Sequence, residues 1–160
     1  MAASQPQIET FTGTRITITT PHSFNDTIQK LYTEIGFPKN AAWPTIAASI
    51  KTFDESSKQA FIAATEKAVG AKGFMVFLEL NHGTWLPLFN VGSGLQLKRI
   101  ILGNPLIAIT MLEHDLKAGL AVPVELLVRE LGEGRGTELS YQLPSSLVVG
   151  ASGDEKLLGA

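Results

Sequence analysis

Apolar and polar residues alternate at every second position in several short segments of this chain, and each of these segments predicts a β-strand. In the first segment Ile16 and Ile18 fall on one face, while threonines fall on the other. β-Branched residues favour an extended backbone, which strengthens this prediction. The glycine-rich segment 132–136 predicts a tight hairpin between the last two strands. The predicted strands cover residues 10–20, 74–80, 98–102, 124–130 and 137–143.

Other segments carry apolar residues at three- and four-residue spacing, the period of an amphipathic helix. A helix over residues 23–36 begins at a capping Ser23 and ends at Gly36, with Pro38 just beyond it. A second helix over residues 54–69 begins at a capping Asp54. Weaker patterns predict a short helix over 43–50, a helix over 106–119 and either a short helix or a loop over 84–91.

These elements predict a single α+β domain over residues 9–149. Its sheet is mostly antiparallel, with about five strands, and the helices pack on one face. A chain of 160 residues is long enough to bury a core without disulfide bonds. The polar segment 1–8 predicts a disordered N-terminal tail, and residues 150–160 predict a loose C-terminal tail.

Composition excludes several classes of function. Cysteine is absent, which excludes a disulfide framework, a thiol nucleophile and a cysteine metal site. A net charge of −2 and a pI near 5.9 do not suggest nucleic acid or an anionic membrane as a partner. Since no segment resembles a signal peptide or is long enough to span a bilayer, we expect a cytoplasmic protein. No motif indicates a cofactor.

Charge is distributed unevenly along the chain. Charged residues make up only 18% of it, and between Glu79 and Glu113 the only charged residues are Lys98 and Arg99. This stretch can form core and subunit interface, or it can line a pocket that suits an anionic or polar-headed organic ligand. The low overall charge also predicts a homodimer, because an unusually apolar surface is stabilised when a second subunit buries it.

His82 is the best candidate for a catalytic residue. It ends an apolar strand and continues the face of Val76, Leu78 and Leu80, where small effects bring a histidine pKa near neutrality. As a general acid or base it would act with Glu79, or with Tyr141 if their strands adjoin. The alternative is a structural histidine that bonds the backbone at a strand end.

Four further residues are candidates for ligand binding. They are Asn81, Lys98, Arg99 and Asn104. For Asn104, which precedes a proline in a turn, the alternative is that its side chain holds backbone groups. The three histidines show no close paired spacing, so no metal site is predicted.

Four motifs in order carry a resemblance to a known family. They are Asn81-His82-Gly83 after an apolar strand, Gly103-Asn104-Pro105 after another, Val122-Pro123 before a third, and Ser140-Tyr141 followed by Pro144. From about Gly73 to Leu147 the chain resembles the domain-of-unknown-function 302 family. It departs from the family at Asn81, where an acidic residue is usual, and at Val122, where leucine is common.

The resemblance implies a fold related to the TATA-binding-protein class, but it does not imply DNA binding, which needs a basic concave sheet. It supplies no reaction. Three hypotheses therefore stand: a small-molecule enzyme or binding protein with a pocket around His82, a non-catalytic homodimeric interaction module, and, third, a nucleic-acid binder. The sequence does not decide whether the protein is an enzyme.

Overall fold

The computed structural model describes residues 5–8, 10–36 and 42–152, and the strands within them form one antiparallel sheet. The spatial order is β1-β5-β4-β3-β2, so β1 and β2 are its two edges. The sheet and the helices together confirm the α+β class. The strands are β1 (Arg15–Thr20), β2 (Met75–Asn81), β3 (Leu97–Gly103), β4 (Val124–Glu130) and β5 (Thr137–Gln142).

Two of the predicted helices begin at the capping residues that the sequence supplies. The Ser23 side chain accepts a hydrogen bond from the Asp26 backbone N–H at 3.1 Å, and Asp54 accepts one from the Ser57 N–H at 2.8 Å. The predicted helices over 23–36 and 54–69 are therefore confirmed, and a helix also covers most of 43–50, while Pro38 lies outside the described residues. The helices are α1 (Phe24–Ile35), α2 (Ala42–Ser49), α3 (Glu55–Ala68), α4 (Pro105–Leu112) and α5 (Pro144–Ser152).

The prediction of one helix over 106–119 is wrong. The α-helix α4 ends at Leu112, and a separate 3₁₀ helix covers Leu116–Leu120. Asp115 separates them because its side chain accepts the Lys117 backbone N–H at 2.9 Å and starts a new turn. Residues 84–91 contain a short 3₁₀ helix over Leu86–Phe89.

Two differences concern the ends of the chain. The strand predicted over 10–20 begins only at Arg15, because its partner β5 gives way to α5 at Pro144. Helix α5 is not predicted by the local sequence pattern, although a proline often starts a helix. This helix includes the first residues of the predicted C-terminal tail, while residues 1–4 and 153–160 of the two tails lie outside the described residues.

A bulge interrupts the edge strand β2. Val76 is opposite Leu102, yet Leu78 is opposite Ile101, so Phe77 is an extra residue. One extra residue reverses which side chains share a face beyond it. The predicted face that joined Val76, Leu78 and His82 is therefore wrong, and Glu79 shares the face of Val76 instead.

The main core lies between α1 and one face of the sheet. Phe24, Ile28 and Ile35 of α1 are buried against apolar side chains from three strands. These strand residues are Val76, Ile100, Leu102 and Val128, of which Ile100 and Val128 are fully buried. Burial of each such side chain stabilises the fold by roughly 1.5–3 kcal/mol. These contacts fix α1 over the middle of the sheet.

The hairpin predicted between β4 and β5 is confirmed, and its glycines adopt left-handed backbone angles. Gly134 has a φ of 68° and Gly136 a φ of 89°. A side chain at Gly136 would also meet the Thr20 carbonyl oxygen at 2.0 Å, so only glycine fits there. This close approach joins the hairpin to the end of β1.

Candidate functional site

A carboxylate, an ammonium and a phenol meet where α1 crosses the ends of β2 and β3. The Glu79 carboxylate accepts hydrogen bonds from the Tyr32 hydroxyl and from the Lys98 ammonium, the latter at 2.7 Å. The side chains of Lys98 and Glu79 are only 17% and 21% exposed. Both carboxylate oxygens are thus occupied. This polar cluster, defined as Tyr32, Glu79 and Lys98, ties α1 to the edge of the sheet.

Asn81 lies beside the polar cluster, because it is directly opposite Lys98 in the register of β2 and β3. Its amide oxygen is buried and accepts no hydrogen bond from the described residues. Of the four predicted ligand-binding residues, Asn81 and Lys98 are therefore neighbours.

The three predicted catalytic residues do not form one constellation. His82 starts a 3₁₀ turn after β2, and its ring packs edge-to-face on Trp85 at 5.7 Å, whereas Glu79 bonds Tyr32 and Lys98. Tyr141 is on β5, and β4 and β3 lie between β5 and β2. Three strand spacings, about 14 Å, separate Tyr141 from Glu79. The condition that the strands of His82 and Tyr141 adjoin is not met.

The two cations of the low-charge stretch point to opposite faces of the sheet. Lys98 faces α1, while Arg99 forms a two-pronged ion pair with Glu125 on the other face. Neighbouring residues of a strand alternate between faces, so Lys98 and Arg99 cannot line one pocket together.

Asn104 uses its side chain to hold the backbone. Its oxygen accepts the Leu106 N–H at 2.9 Å, which caps α4, and its amide donates to the Gly73 carbonyl oxygen at 2.9 Å. These two hydrogen bonds favour the structural role for Asn104, in which its side chain holds the backbone of the turn, over a role in ligand binding.

An apolar cleft of about 640 Å³ lies between α3, α4 and the ends of β2 and β4. Aromatic side chains form much of its wall, and Trp43 packs edge-on against Phe61 and Phe77, at ring distances of 6.5 and 4.9 Å. Lys58, at its rim, is the one ionisable residue among the described lining residues. Other apolar residues that line the cleft are Phe74, Leu106, Ile109, Leu112, Val122 and Val124.

The cleft contains none of the predicted catalytic residues. His82, Glu79 and Tyr141 are not among its described lining residues, and of the predicted ligand-binding residues only Asn104 is. Sequence reasoning missed the aromatic wall because Trp43, Phe61 and Phe77 belong to three separate elements. One signal for it existed: the motifs Gly103-Asn104-Pro105 and Val122-Pro123, which carry the family resemblance, both line the cleft.

The stretch between Glu79 and Glu113 divides into three environments. Its strand residues, such as Ile100, are core, and residues 103–109 line the cleft. Its middle part is exposed, with Leu88 at 79% and Phe89 at 69%.

Within the described part of the chain no helix is long and apolar enough to cross a membrane, and no three metal-binding side chains cluster.

Comparison with known proteins gives a family and a fold. A model of the family described as domain of unknown function DUF302 matches residues 50–159. A solved structure described as an uncharacterized conserved protein DUF302 from Bacillus stearothermophilus is similar, with a TM-score of 0.55 and 20% identity. The match covers 89% of this chain and 83% of that one. No curated protein matches this sequence.

Proposed function

This chain belongs to the DUF302 family, and since that family description assigns no activity, we propose a function from the geometry of the apolar cleft. The protein binds an amphiphilic organic molecule. The apolar body of the ligand lies in the cleft, and an anionic head group lies at the rim beside Lys58. The polar-headed or anionic ligand class expected from the sequence is kept, but the pocket moves from His82 to the cleft.

The apolar lining of the cleft is the observation that carries this proposal. Its volume of about 640 Å³ is in the range of small-molecule sites, about 300–1,000 Å³. Its wall combines the aromatic rings of Trp43, Phe61 and Phe77 with aliphatic side chains of α4. Water in such a cleft finds few hydrogen-bond partners, so an apolar ligand displaces it favourably.

Lys58 supplies the head-group contact. It lies one helical turn before Phe61 on α3, and its side chain is 66% exposed. Its ion pair with Glu55 is long, at 3.8 Å, and both side chains are well solvated, so this pair is weak. The ammonium is thus available to a carboxylate or phosphate at the rim.

Binding is better supported than catalysis. Among the described lining residues Lys58 is the only ionisable side chain, and the polar atoms of Asn104 already bond the backbone. General acid–base chemistry needs a titrating group within hydrogen-bond reach of the reacting atoms.

Calorimetry with decanoate and decanol tests the proposal, since the two probes share a length and differ in the head group. We expect Lys58→Met to weaken decanoate binding about fivefold, the equivalent of about 1 kcal/mol, and to leave decanol binding unchanged. Ile109→Glu should abolish binding of both, because it places a charge in the wall of the cleft at a position that is 54% exposed.

Two controls make this test specific. Leu116→Glu introduces the same charge at a residue that is 84% exposed and outside the described lining, so it should bind both probes normally. The proposal fails if Leu116→Glu and Ile109→Glu lose binding equally. It also fails if His82→Ala abolishes binding while Ile109→Glu does not, a result that would return the pocket to His82.

The second candidate function is the non-catalytic homodimeric module. Two observations favour it: only 18% of the residues are charged, and several large apolar side chains are exposed, among them Ile18 at 55% on the edge strand β1. Light scattering at micromolar concentration should then give about twice 17.2 kDa.

A further inference from the structure

The two edges of the sheet are not equally protected. β2 carries a bulge, a device that disturbs pairing with a further strand. β1, in contrast, pairs with β5 in unbroken register from Arg15 to Thr20. It contains neither proline nor glycine, and Arg15 at its start is its one charged residue. No described strand lies on its outer side.

The backbone groups that β1 leaves unpaired can be identified from the ladder. The Leu143 N–H donates to the Thr14 carbonyl oxygen at 2.8 Å, so Thr14 belongs to a hydrogen-bonded pair with β5. In an antiparallel ladder such pairs recur at every second residue. Ile16 and Ile18 therefore direct their N–H and C=O groups to β5, and Arg15, Thr17 and Thr19 direct theirs outward.

An apolar surface accompanies this free edge. Ile18 is 55% exposed, and it lies opposite Leu139 in the register of β1 and β5. Leu139 and Leu31 of α1 line an open groove of about 450 Å³ on the same face of the sheet. A partner strand added to β1 would cover Ile18 and extend this groove.

We propose that β1 pairs antiparallel with β1 of a second copy of this chain, across a two-fold axis at Thr17. This inference rests on the homodimer offered above as the second candidate, and it adds the surface and the register. Thr17 faces Thr17 of the partner subunit. Arg15 faces the partner's Thr19. The outward groups of Arg15, Thr17 and Thr19 then make three hydrogen-bonded pairs, so none stays unpaired.

The side-chain pattern of β1 complements itself in this register. Ile16 faces the partner's Ile18 on the apolar face, which brings four isoleucines together in the closer, non-hydrogen-bonded pairs. The only charge, Arg15, meets a threonine rather than a like charge. A shift of the register by two residues in one direction would place Arg15 opposite the partner's Pro21, which has no N–H to donate. The opposite shift would place Thr19 opposite the partner's Gly13, which lies before β1, so the two β1 strands would pair over a shorter length. A second copy thus fits this edge in one preferred register.

Single cysteine variants test the register directly, because the chain has no cysteine of its own. In a hydrogen-bonded pair the two Cα atoms are about 5.5 Å apart, within the disulfide range of about 4.4–6.8 Å. Thr17→Cys should therefore form a covalent dimer in oxidised glutathione buffer. Thr19→Cys is the matched control, since its thiols would be separated by four residue steps, about 14 Å.

The expected difference is large, because holding two thiols side by side raises their effective concentration from about ten micromolar to about a millimolar. Thr17→Cys should cross-link on the order of a hundredfold faster than Thr19→Cys at micromolar protein. Cross-linking of Leu78→Cys on β2 should be as slow as that of Thr19→Cys. Leu78 is a fair comparison because it is 49% exposed on the other edge.

Failure of the inference and failure of the dimer are distinguishable. A wild-type monomer at all concentrations tested would overturn both. A wild-type dimer in which Leu78→Cys cross-links fastest, or in which Thr17→Cys and Thr19→Cys cross-link at equal rates, would overturn only the β1 surface and its register.

Discussion

At the scale of single residues, charge in the low-charge stretch is satisfied by partners outside it. Lys98 finds Glu79 and Arg99 finds Glu125, on opposite faces of the sheet. The Glu79–Lys98 pair is largely shielded from water, and Tyr32 completes its hydrogen bonds. Because a shielded charge that loses its partner keeps its desolvation cost, we assign this pair to stability rather than to ligand binding.

Removal of the Lys98 ammonium should therefore destabilise the fold. We expect Lys98→Met to lower the free energy of unfolding by about 2 kcal/mol, because the Glu79 carboxylate loses a charged hydrogen bond. Decanoate affinity should not change. Urea unfolding at neutral pH measures the loss, and the double variant with Glu79→Gln should lose clearly less than the sum of the two single variants. Strictly additive losses would show that Glu79 and Lys98 do not act as a pair.

Sequence reasoning found Glu79 and Lys98 but not the contact between them. Period-two alternation placed Glu79 on the opposite face from Val76, and the bulge at Phe77 reverses that order. Tyr32 was predicted as part of the apolar stripe of α1, and it lies in that stripe. Its hydroxyl also donates to the carboxylate of Glu79, which is 47 positions away in the sequence. Contacts of that separation depend on strand order, which local patterns do not encode.

At the scale of elements, local side-chain chemistry decides where helices start. Ser23, Asp54, Asn104 and Asp115 all accept backbone N–H groups at the start of a helix or 3₁₀ helix. The first two were predicted because a polar residue precedes a clear apolar stripe. The break at Asp115 was not predicted, because apolar residues continue on both sides of it.

The cap of α3 makes stability depend on pH in a defined direction. The backbone N–H of Ser57, followed by the hydroxyls of Thr52 and Ser57, holds the pKa of Asp54 below its ordinary value of 3.8. A carboxyl group whose pKa is lowered in the folded state stabilises the fold at pH values above its ordinary pKa. This contribution is lost as the pH falls through the lowered pKa. Thermal unfolding should show wild type more stable than Asp54→Asn near neutral pH.

The same comparison in acid supplies the check. As the pH falls below the ordinary value of 3.8, the two unfolding temperatures should converge, because both caps are then uncharged. A gap that stays constant across the acid range would show that the charge of Asp54 does not contribute.

At the scale of the whole molecule, the sequence predicted the class and the family but not the cleft. Each strand and the first three helices follow from patterns within about a dozen residues. The cleft draws Trp43, Phe61 and Val124 from distant parts of the chain, and their meeting depends on how α2, α3 and α4 pack. The packing of these three helices cannot be predicted from local sequence patterns, because it depends on the three-dimensional arrangement of the chain.

Hydrogen exchange should report the free edge of the sheet in a concentration-dependent way. The amides of Ile16 and Ile18 bond β5 and should be protected at every concentration. The outward amides of Thr17 and Thr19 should exchange quickly in dilute protein and slowly once dimers form. Mass spectrometry with residue-level fragmentation resolves these positions. Equal protection of all four amides at every concentration would contradict the pairing.

The bulge of β2 has a consequence for how far assembly can proceed. A sheet with two open edges can add copies without limit and grow into a filament, whereas a two-fold contact consumes the same edge of both copies. Once the two β1 strands have paired, the combined sheet of two copies presents only its bulged β2 strands at the ends. In the proposed dimer, the extra residue Phe77 thus limits assembly to two copies.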